Sequence, residues 1–291
     1  MTEVKRITVL GAGLMGHGIT QVAAQVGRYE VCMRDIEQRF VDNGMVMIRE
    51  SLQRFVKKNQ LTQAQMSETL ARIHSTVDLK EAVSNADLVI EAAPENAELK
   101  RIIFGEVDTS APANAIIASN TSSVSITELA SATRRPEKVC GMHFFNPPQL
   151  MKLVEVVRGA KTSDETTQAI LKVARKMEKE TVLVKKDSPG FIVNRILTPA
   201  LNEAAELCWE GVADRDDIDK AIKLGLNWPM GPLMLLDYIG SDTVLAITEV
   251  LMHELDPKFH PSTGLKQMVK AQMLGRKTGK GFYDWTRDQN R

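Results

Sequence analysis

The chain has 291 residues, more than the roughly 100–150 of the commonest single domain, so two domains are expected. Hydrophobic residues make up 43% and charged residues 25%, the composition of a globular protein with a real core. Lys+Arg and Asp+Glu both number 37, so no net field draws the chain to nucleic acid or to an anionic membrane.

Cys32, Cys140 and Cys208 are far apart, odd in number and without metal-ligand spacing, so they read as small apolar residues in a reducing compartment. The start, MTEVKRITVLGAG, runs from a short polar lead into a strand, unlike a secretory signal. No apolar run approaches the ~18 residues of a membrane span. A cytoplasmic protein is expected, with neither nucleic acid, membrane nor metal as a partner.

In chain order, the strand candidates are RITVL (6–10), YEVCM (29–33), IHSTV (73–77), DLVIEAA (87–93), AIIAS (115–119), VCGMHFF (139–145), LVEVV (153–157) and TVLVK (181–185). Several are almost entirely apolar, as central strands of a parallel sheet covered on both faces must be. Helical stretches alternate with them, which predicts a doubly wound, Rossmann-type α/β domain over 1–188. Between the second and third strands lies a helical segment of about 37–71. It is too long for one crossover and is expected to form two helices projecting from the sheet. After KKDSPGF the pattern becomes helical, beginning with FIVNRILTPALNEAAELCWEG and its stop at Gly211, so 189–291 is expected to be an all-α domain. Only GFYDW, near the end, suggests a further strand.

Gly11-x-Gly13-x-x-Gly16 follows the first strand directly and opens the first helix. Glycines are needed there for a tight turn, for close approach of a pyrophosphate and for helix–sheet packing, while the helix N-terminus faces the phosphates. Asp35 closes the second strand, where a carboxylate accepts hydrogen bonds from a ribose 2′-OH and repels a 2′-phosphate. NAD is therefore the expected cofactor. Arg34, next to it, is able to accommodate a 2′-phosphate, so NADP stays open.

In GMHFFNPPQLMKLVEVV, a glutamate sits inside the run LVEVV, where an unpaired buried charge would be costly. If the two strands pair as a hairpin centred on Gln149, His143 faces Glu155 on one side of the sheet. A carboxylate on one imidazole nitrogen fixes the tautomer and leaves the other to accept a proton, which oxidation of an alcohol by hydride transfer requires. For these two residues alone, a structural histidine with a solvated edge-strand glutamate is an equally good reading. Likewise SSVSITEL has helix-cap character, and Asn194 opens an amphipathic helix. Arg54, Lys57 and Lys58 share one helical face, which suits either solvent or phosphate.

The segments GAGLMGHGI, LVIEAAPEN, ASNTSSVSITELA, GMHFFNPPQLMKLVEVV, DSPGFIVNRIL, DIDKAIKLGLNWPMGPLMLLDYIG and GRKTGKGFYDW span essentially the whole chain. Together they resemble the L-3-hydroxyacyl-CoA dehydrogenases, most closely the short bacterial 3-hydroxybutyryl-CoA dehydrogenases. The resemblance implies His143 as general acid/base and Glu155 as its orienting partner. It also implies Ser122, Asn146 and Asn194 at the substrate, with Glu95 and Lys100 near the cofactor. It further implies an acyl-CoA substrate, with the long helical segment helping to hold coenzyme A, and a homodimer joined through the helical domain. The expected reaction is reversible NAD-dependent oxidation of 3-hydroxybutyryl-CoA to acetoacetyl-CoA, in fatty acid or butanoate metabolism. A dehydrogenase of free hydroxy acids and a non-catalytic nicotinamide-binding protein are the alternatives. Two departures touch the pocket: PPQ follows HFFN where the family often has one proline and a small residue, and Trp228 replaces a smaller side chain or tyrosine.

Overall fold

The computed structural model describes residues 3–286. The chain divides between Ser188 and Pro189 into two compact units.

The first unit is built as β1 (Arg6–Leu10), α1 (Leu14–Gln25), β2 (Glu30–Arg34), α2 (Gln38–Lys57), α3 (Gln63–Ala71), β3 (Ile73–Thr76), α4 (Leu79–Val83), β4 (Leu88–Glu91), α5 (Ala97–Ser110), β5 (Ile116–Ser119), α6 (Ile126–Ser131), β6 (Val139–Phe144), β7 (Leu153–Val157), α7 (Asp164–Lys176) and β8 (Glu180–Val184). Its eight strands form one sheet in the order β3-β2-β1-β4-β5-β6-β7-β8. All neighbours are parallel except β6 and β7, which pair antiparallel. Strands β4, β5 and β6 are buried at every residue, which is why their sequences show no polar alternation. Strand order reverses between β1 and β4, and the crevice beyond their carboxyl ends is where such sheets bind ligands.

The expected helical segment breaks into α2 and α3. Asn59, at φ 55°, turns the chain after α2, and α3 begins on a capping box between Thr62 and Gln65. Helix α2 buries Val41, Ile48 and Leu52 along one stripe and leaves Arg54 and Lys57 near its end. Strand ends shift by small amounts from expectation. The largest shift is in DLVIEAA, where the strand stops at Glu91 because the N–H of Ala93 turns back to the Glu91 carboxylate, 2.7 Å away.

The second unit contains α8 (Val193–Trp209), α9 (Arg215–Gly225), α10 (Pro232–Ile239), α11 (Ser241–Glu254) and α12 (Thr263–Lys270), with Leu201, Ala205, Leu236, Val244 and Leu265 in its core. GFYDW is not a strand: the segment takes part only in an isolated bridge from Asp284 to Lys280. It is pinned instead by a buried carboxylate. Asp237 accepts from the N–H groups of Phe282 (2.9 Å) and Tyr283 (2.8 Å) and from the Trp285 indole (2.8 Å). A Cβ at Gly281 would fall 2.0 Å from that carboxylate, so only glycine lets the segment pass. Among the described residues, no helix is long and apolar enough to cross a membrane.

Candidate active site

The glycine loop joins β1 to α1, and each of its three glycines meets a different demand. Gly11 adopts φ +109°, and a Cβ there would lie 2.5 Å from the Ala92 carbonyl oxygen. At Gly16 a Cβ would lie 1.8 Å from the Gly11 oxygen, so helix and turn approach too closely for any side chain. Around Gly13, by contrast, a Cβ would meet nothing within 4 Å, leaving room for a ligand against the backbone. Gly13 caps α1, whose first turn has neither a side-chain cap nor an acidic residue, so its positive end is left for an anion. Asp35 stands at the rim just after β2 and accepts from the N–H groups of Ala12 and Ile36, both at 2.7 Å. Arg34 directs its Nε–H to the carbonyl of Val77, 3.0 Å away. Two crowded glycines, one open one and a carboxylate at the strand end fit an adenine dinucleotide with a free 2′-OH.

In the β6–β7 hairpin, His143 lies opposite Glu155, so the period-two geometry puts both side chains on one face. His143 Nδ1 and Glu155 Oε2 are 2.7 Å apart, with 7% and 0% of their side chains exposed. The imidazole gives the carboxylate inside LVEVV a hydrogen-bonding partner. A carboxylate against Nδ1 is the arrangement that favours the tautomer with its proton there and its acceptor at Nε2. Phe145 lies against the imidazole at 4.6 Å between centroids. The N–H of Phe144 donates to the Asn120 side chain at 2.8 Å, tying this strand to the serine-rich turn after β5. Asn146 is exposed, joined to Pro147 by a cis peptide at the start of the hairpin loop. Behind that loop, buried Lys179 donates to the carbonyls of Pro148 (2.7 Å) and Met151 (2.8 Å).

Ser122 lies in the turn after β5 and is not a helix cap; Ser125 takes that role for α6. The Ser122 N–H and hydroxyl both face Glu95 Oε1, at 2.9 and 3.2 Å. Thr121 and Ser123 donate to the same oxygen. Burial acts to raise the Glu95 pKa, but the Lys100 ammonium and the Thr121, Ser122 and Ser123 donors outweigh it and hold the pKa at about 2. Lys100 is only 1% exposed, and its ammonium reaches Glu91 (2.7 Å), the Ala93 carbonyl (3.1 Å) and Glu95 (3.2 Å). It therefore supports Glu95 from below.

Sequence reasoning passed over Glu91 and Ser119, both buried in this network, and Lys179. The signal for Glu91 was present: it ends an apolar run in DLVIEAA much as Glu155 interrupts LVEVV.

A cleft of about 280 Å³ opens between α1, α2 and the hairpin loop, lined by Leu14, His17, Ser51, Arg54, Lys58 and Gln149 among others. His17 Nδ1 meets the Gly13 carbonyl oxygen at 2.8 Å. Burial lowers the His17 pKa, with Arg54 acting in the same direction and the Gly13 hydrogen bond opposing. The cleft thus combines an apolar wall with two cations. Asn194 belongs to the second unit, in the first turn of α8, and is half-buried.

A glycine loop with an acidic strand end and a buried His–Glu hairpin define the class: a Rossmann-type, dinucleotide-dependent oxidoreductase. Comparison with known proteins gives the family. Residues 6–188 match the NAD-binding domain of 3-hydroxyacyl-CoA dehydrogenase, and residues 190–285 match its C-terminal domain. The chain is 50% identical over 278 residues to a probable 3-hydroxybutyryl-CoA dehydrogenase of Deinococcus radiodurans, covering 95% of this chain and 99% of that one. It is 44% identical to the 3-hydroxybutyryl-CoA dehydrogenase of Clostridioides difficile, covering 97% and 100%. Among solved structures it is similar to the (S)-3-hydroxybutyryl-CoA dehydrogenase PaaH1 of Ralstonia eutropha, with a TM-score of 0.92, 46% identity, and 97% and 99% covered. The chain belongs to the 3-hydroxyacyl-CoA dehydrogenase family and is an NAD-dependent oxidoreductase.

Proposed function

We propose that the protein interconverts 3-hydroxybutyryl-CoA and acetoacetyl-CoA, with His143 as acid/base and Glu155 as its partner. The observation that carries the reading is the buried 2.7 Å His143–Glu155 contact. A buried carboxylate against Nδ1 holds the imidazole in the tautomer whose Nε2 accepts a proton and stabilises the imidazolium that follows. NAD, when bound, supplies the acceptor for the hydride leaving C3. His143 Nε2 takes the hydroxyl proton as that hydride departs, so the CH–OH becomes C=O; in the reverse direction His143 returns the proton. Ser122 and Asn146 hold the 3-oxygen. The Ser122 hydroxyl is free to turn from Glu95, because its 3.2 Å contact is the longest in that cluster.

The coenzyme A moiety lies in the cleft beside α2. Arg54 and Lys58 meet its phosphates, and the apolar wall takes the pantetheine arm. The resemblance to the family assigns Asn194, in the second unit, to the thioester end of the acyl group. The helical unit forms the contact between two copies; it leaves Trp209, Leu224 and Leu226 57%, 76% and 61% exposed.

The acyl preference is read from kcat/KM for 3-ketoacyl-CoA thioesters of rising chain length, with free acetoacetate as a control. The C4 thioester should be the best substrate and the free acid should be inert. A maximum at a longer chain would remove the short-chain assignment. Comparable turnover of the free acid would remove the coenzyme A site.

A further inference from the structure

At the carboxyl end of β4, a hydrogen-bonded ring, buried except at Glu95, contains charge that the reaction as described does not use. Lys100 Nζ donates to Glu91 Oε1 (2.7 Å) and faces Glu95 Oε2 (3.2 Å). Thr121 Oγ1 donates to Glu95 Oε1 (2.6 Å) and the Thr121 N–H to Ser119 Oγ (3.1 Å). Ser119 Oγ donates to Glu91 Oε2 (2.5 Å), which closes the ring. Glu91 accepts from the Lys100 ammonium, the Ser119 hydroxyl and the Ala93 N–H. Two carboxylates and one ammonium leave one surplus negative charge. Among the described residues, no further ion pair reaches either carboxylate.

The ring runs from beside the glycine loop to the turn that carries Ser122. Glu91 is the register partner of Leu10, just before the glycine loop, and the next residue, Ala92, presents its carbonyl to Gly11. At the other end Glu95 holds Ser122. Hydride transfer requires nicotinamide C4 to lie next to the carbon whose oxygen Ser122 and His143 address. On the proposed reading the nicotinamide, when bound, would lie at the Ser122 end of the ring.

We propose that the Glu91–Lys100–Glu95 ring favours the oxidised, cationic nicotinamide over the reduced, neutral one, with Glu91 the positioning residue that supplies the surplus charge. This rests on the reading that places the substrate oxygen at Ser122 and His143. A charge as buried as that of Glu91, 1% exposed, is weakly screened and acts over several ångströms. The nicotinamide loses its positive charge when hydride arrives, so a negative ring discriminates between the two redox forms.

The test is the ratio of the dissociation constants for NAD+ and NADH, titrated separately on the purified full chain. Glu91→Gln should weaken NAD+ roughly three- to tenfold more than NADH. Glu95→Gln, at the partly exposed end, should shift the ratio in the same direction and serves alone if Glu91→Gln does not fold. Glu91→Gln/Lys100→Met restores one net negative charge and should return the ratio to within about twofold of wild type. Ser119→Ala opens the ring without changing its charge and should leave the ratio in place. Equal weakening of both cofactor forms in the glutamine variants would overturn the proposal, because lost packing alone does that. So would a double variant that fails to recover. Failure of the wild-type chain to reduce acetoacetyl-CoA would instead overturn the substrate reading, whatever the binding ratios show.

Discussion

His143 and Glu155 pose the same question as Glu91 and Lys100: what makes a charge acceptable inside a sheet. The hairpin pair was legible in the sequence because positions 143 and 155 are equidistant from Gln149, and a strand repeats every two residues. The ring was not, because Lys100 is nine residues from Glu91 on a separate helix and Ser119 is 28 residues away on another strand. Spacing along one element reveals partners across a turn; it does not reveal partners brought together by a sheet. Replacing Glu155 with Gln keeps the shape but removes the charge that, in the proposed mechanism, stabilises the imidazolium. kcat should fall roughly 10²- to 10⁴-fold, with the KM for acetoacetyl-CoA changed far less. Glu95 makes a prediction about acid. Its folded pKa of about 2 lies below its ordinary 4.5, so its stabilising contribution is complete above pH 4.5 and is lost as pH falls towards 2. Melting temperatures of wild type and Glu95→Gln should therefore differ by a constant amount above pH 4.5 and converge below it.

At the scale of elements, the β6–β7 loop depends on a lysine that belongs to neither strand. Lys179 lies between α7 and β8, and its ammonium satisfies two loop carbonyls from behind. Lys179→Met leaves both carbonyls unpaired and should cost about 1–3 kcal/mol in denaturant unfolding. It should also raise the KM for the acyl-CoA, because Pro147, Gln149 and Leu150 of the same loop line the cleft. An unchanged KM in a destabilised variant would separate the loop from substrate binding. Element type was readable from the sequence: apolar runs mark the strands β4, β5 and β6, and the split of 37–71 into two helices follows from its length. The ends were less readable, since β4 stops where a side chain captures its own backbone. GFYDW misleads because its aromatic residues suit a strand, whereas their real partner, Asp237, sits on α10 and has no local signature.

At the scale of the whole chain, a Rossmann-type unit followed by a helical unit was legible from the change in pattern near KKDSPGF, and NAD from the glycine loop with Asp35. Coenzyme A was not legible from composition. With 37 basic and 37 acidic residues the chain has no global attraction for a polyanion, and the proposed coenzyme A site draws on the local cations Arg54 and Lys58. The central claim is that His143 moves the proton when hydride leaves or reaches the acyl-CoA. The most direct measurement is loss of NADH absorbance on adding acetoacetyl-CoA to wild type and to His143→Gln, with NADH binding titrated on both. Turnover by wild type and a drop of roughly 10²–10⁴ in kcat for the variant, at unchanged NADH affinity, is the predicted result. A variant that binds NADH normally and turns over at the wild-type rate would contradict the account.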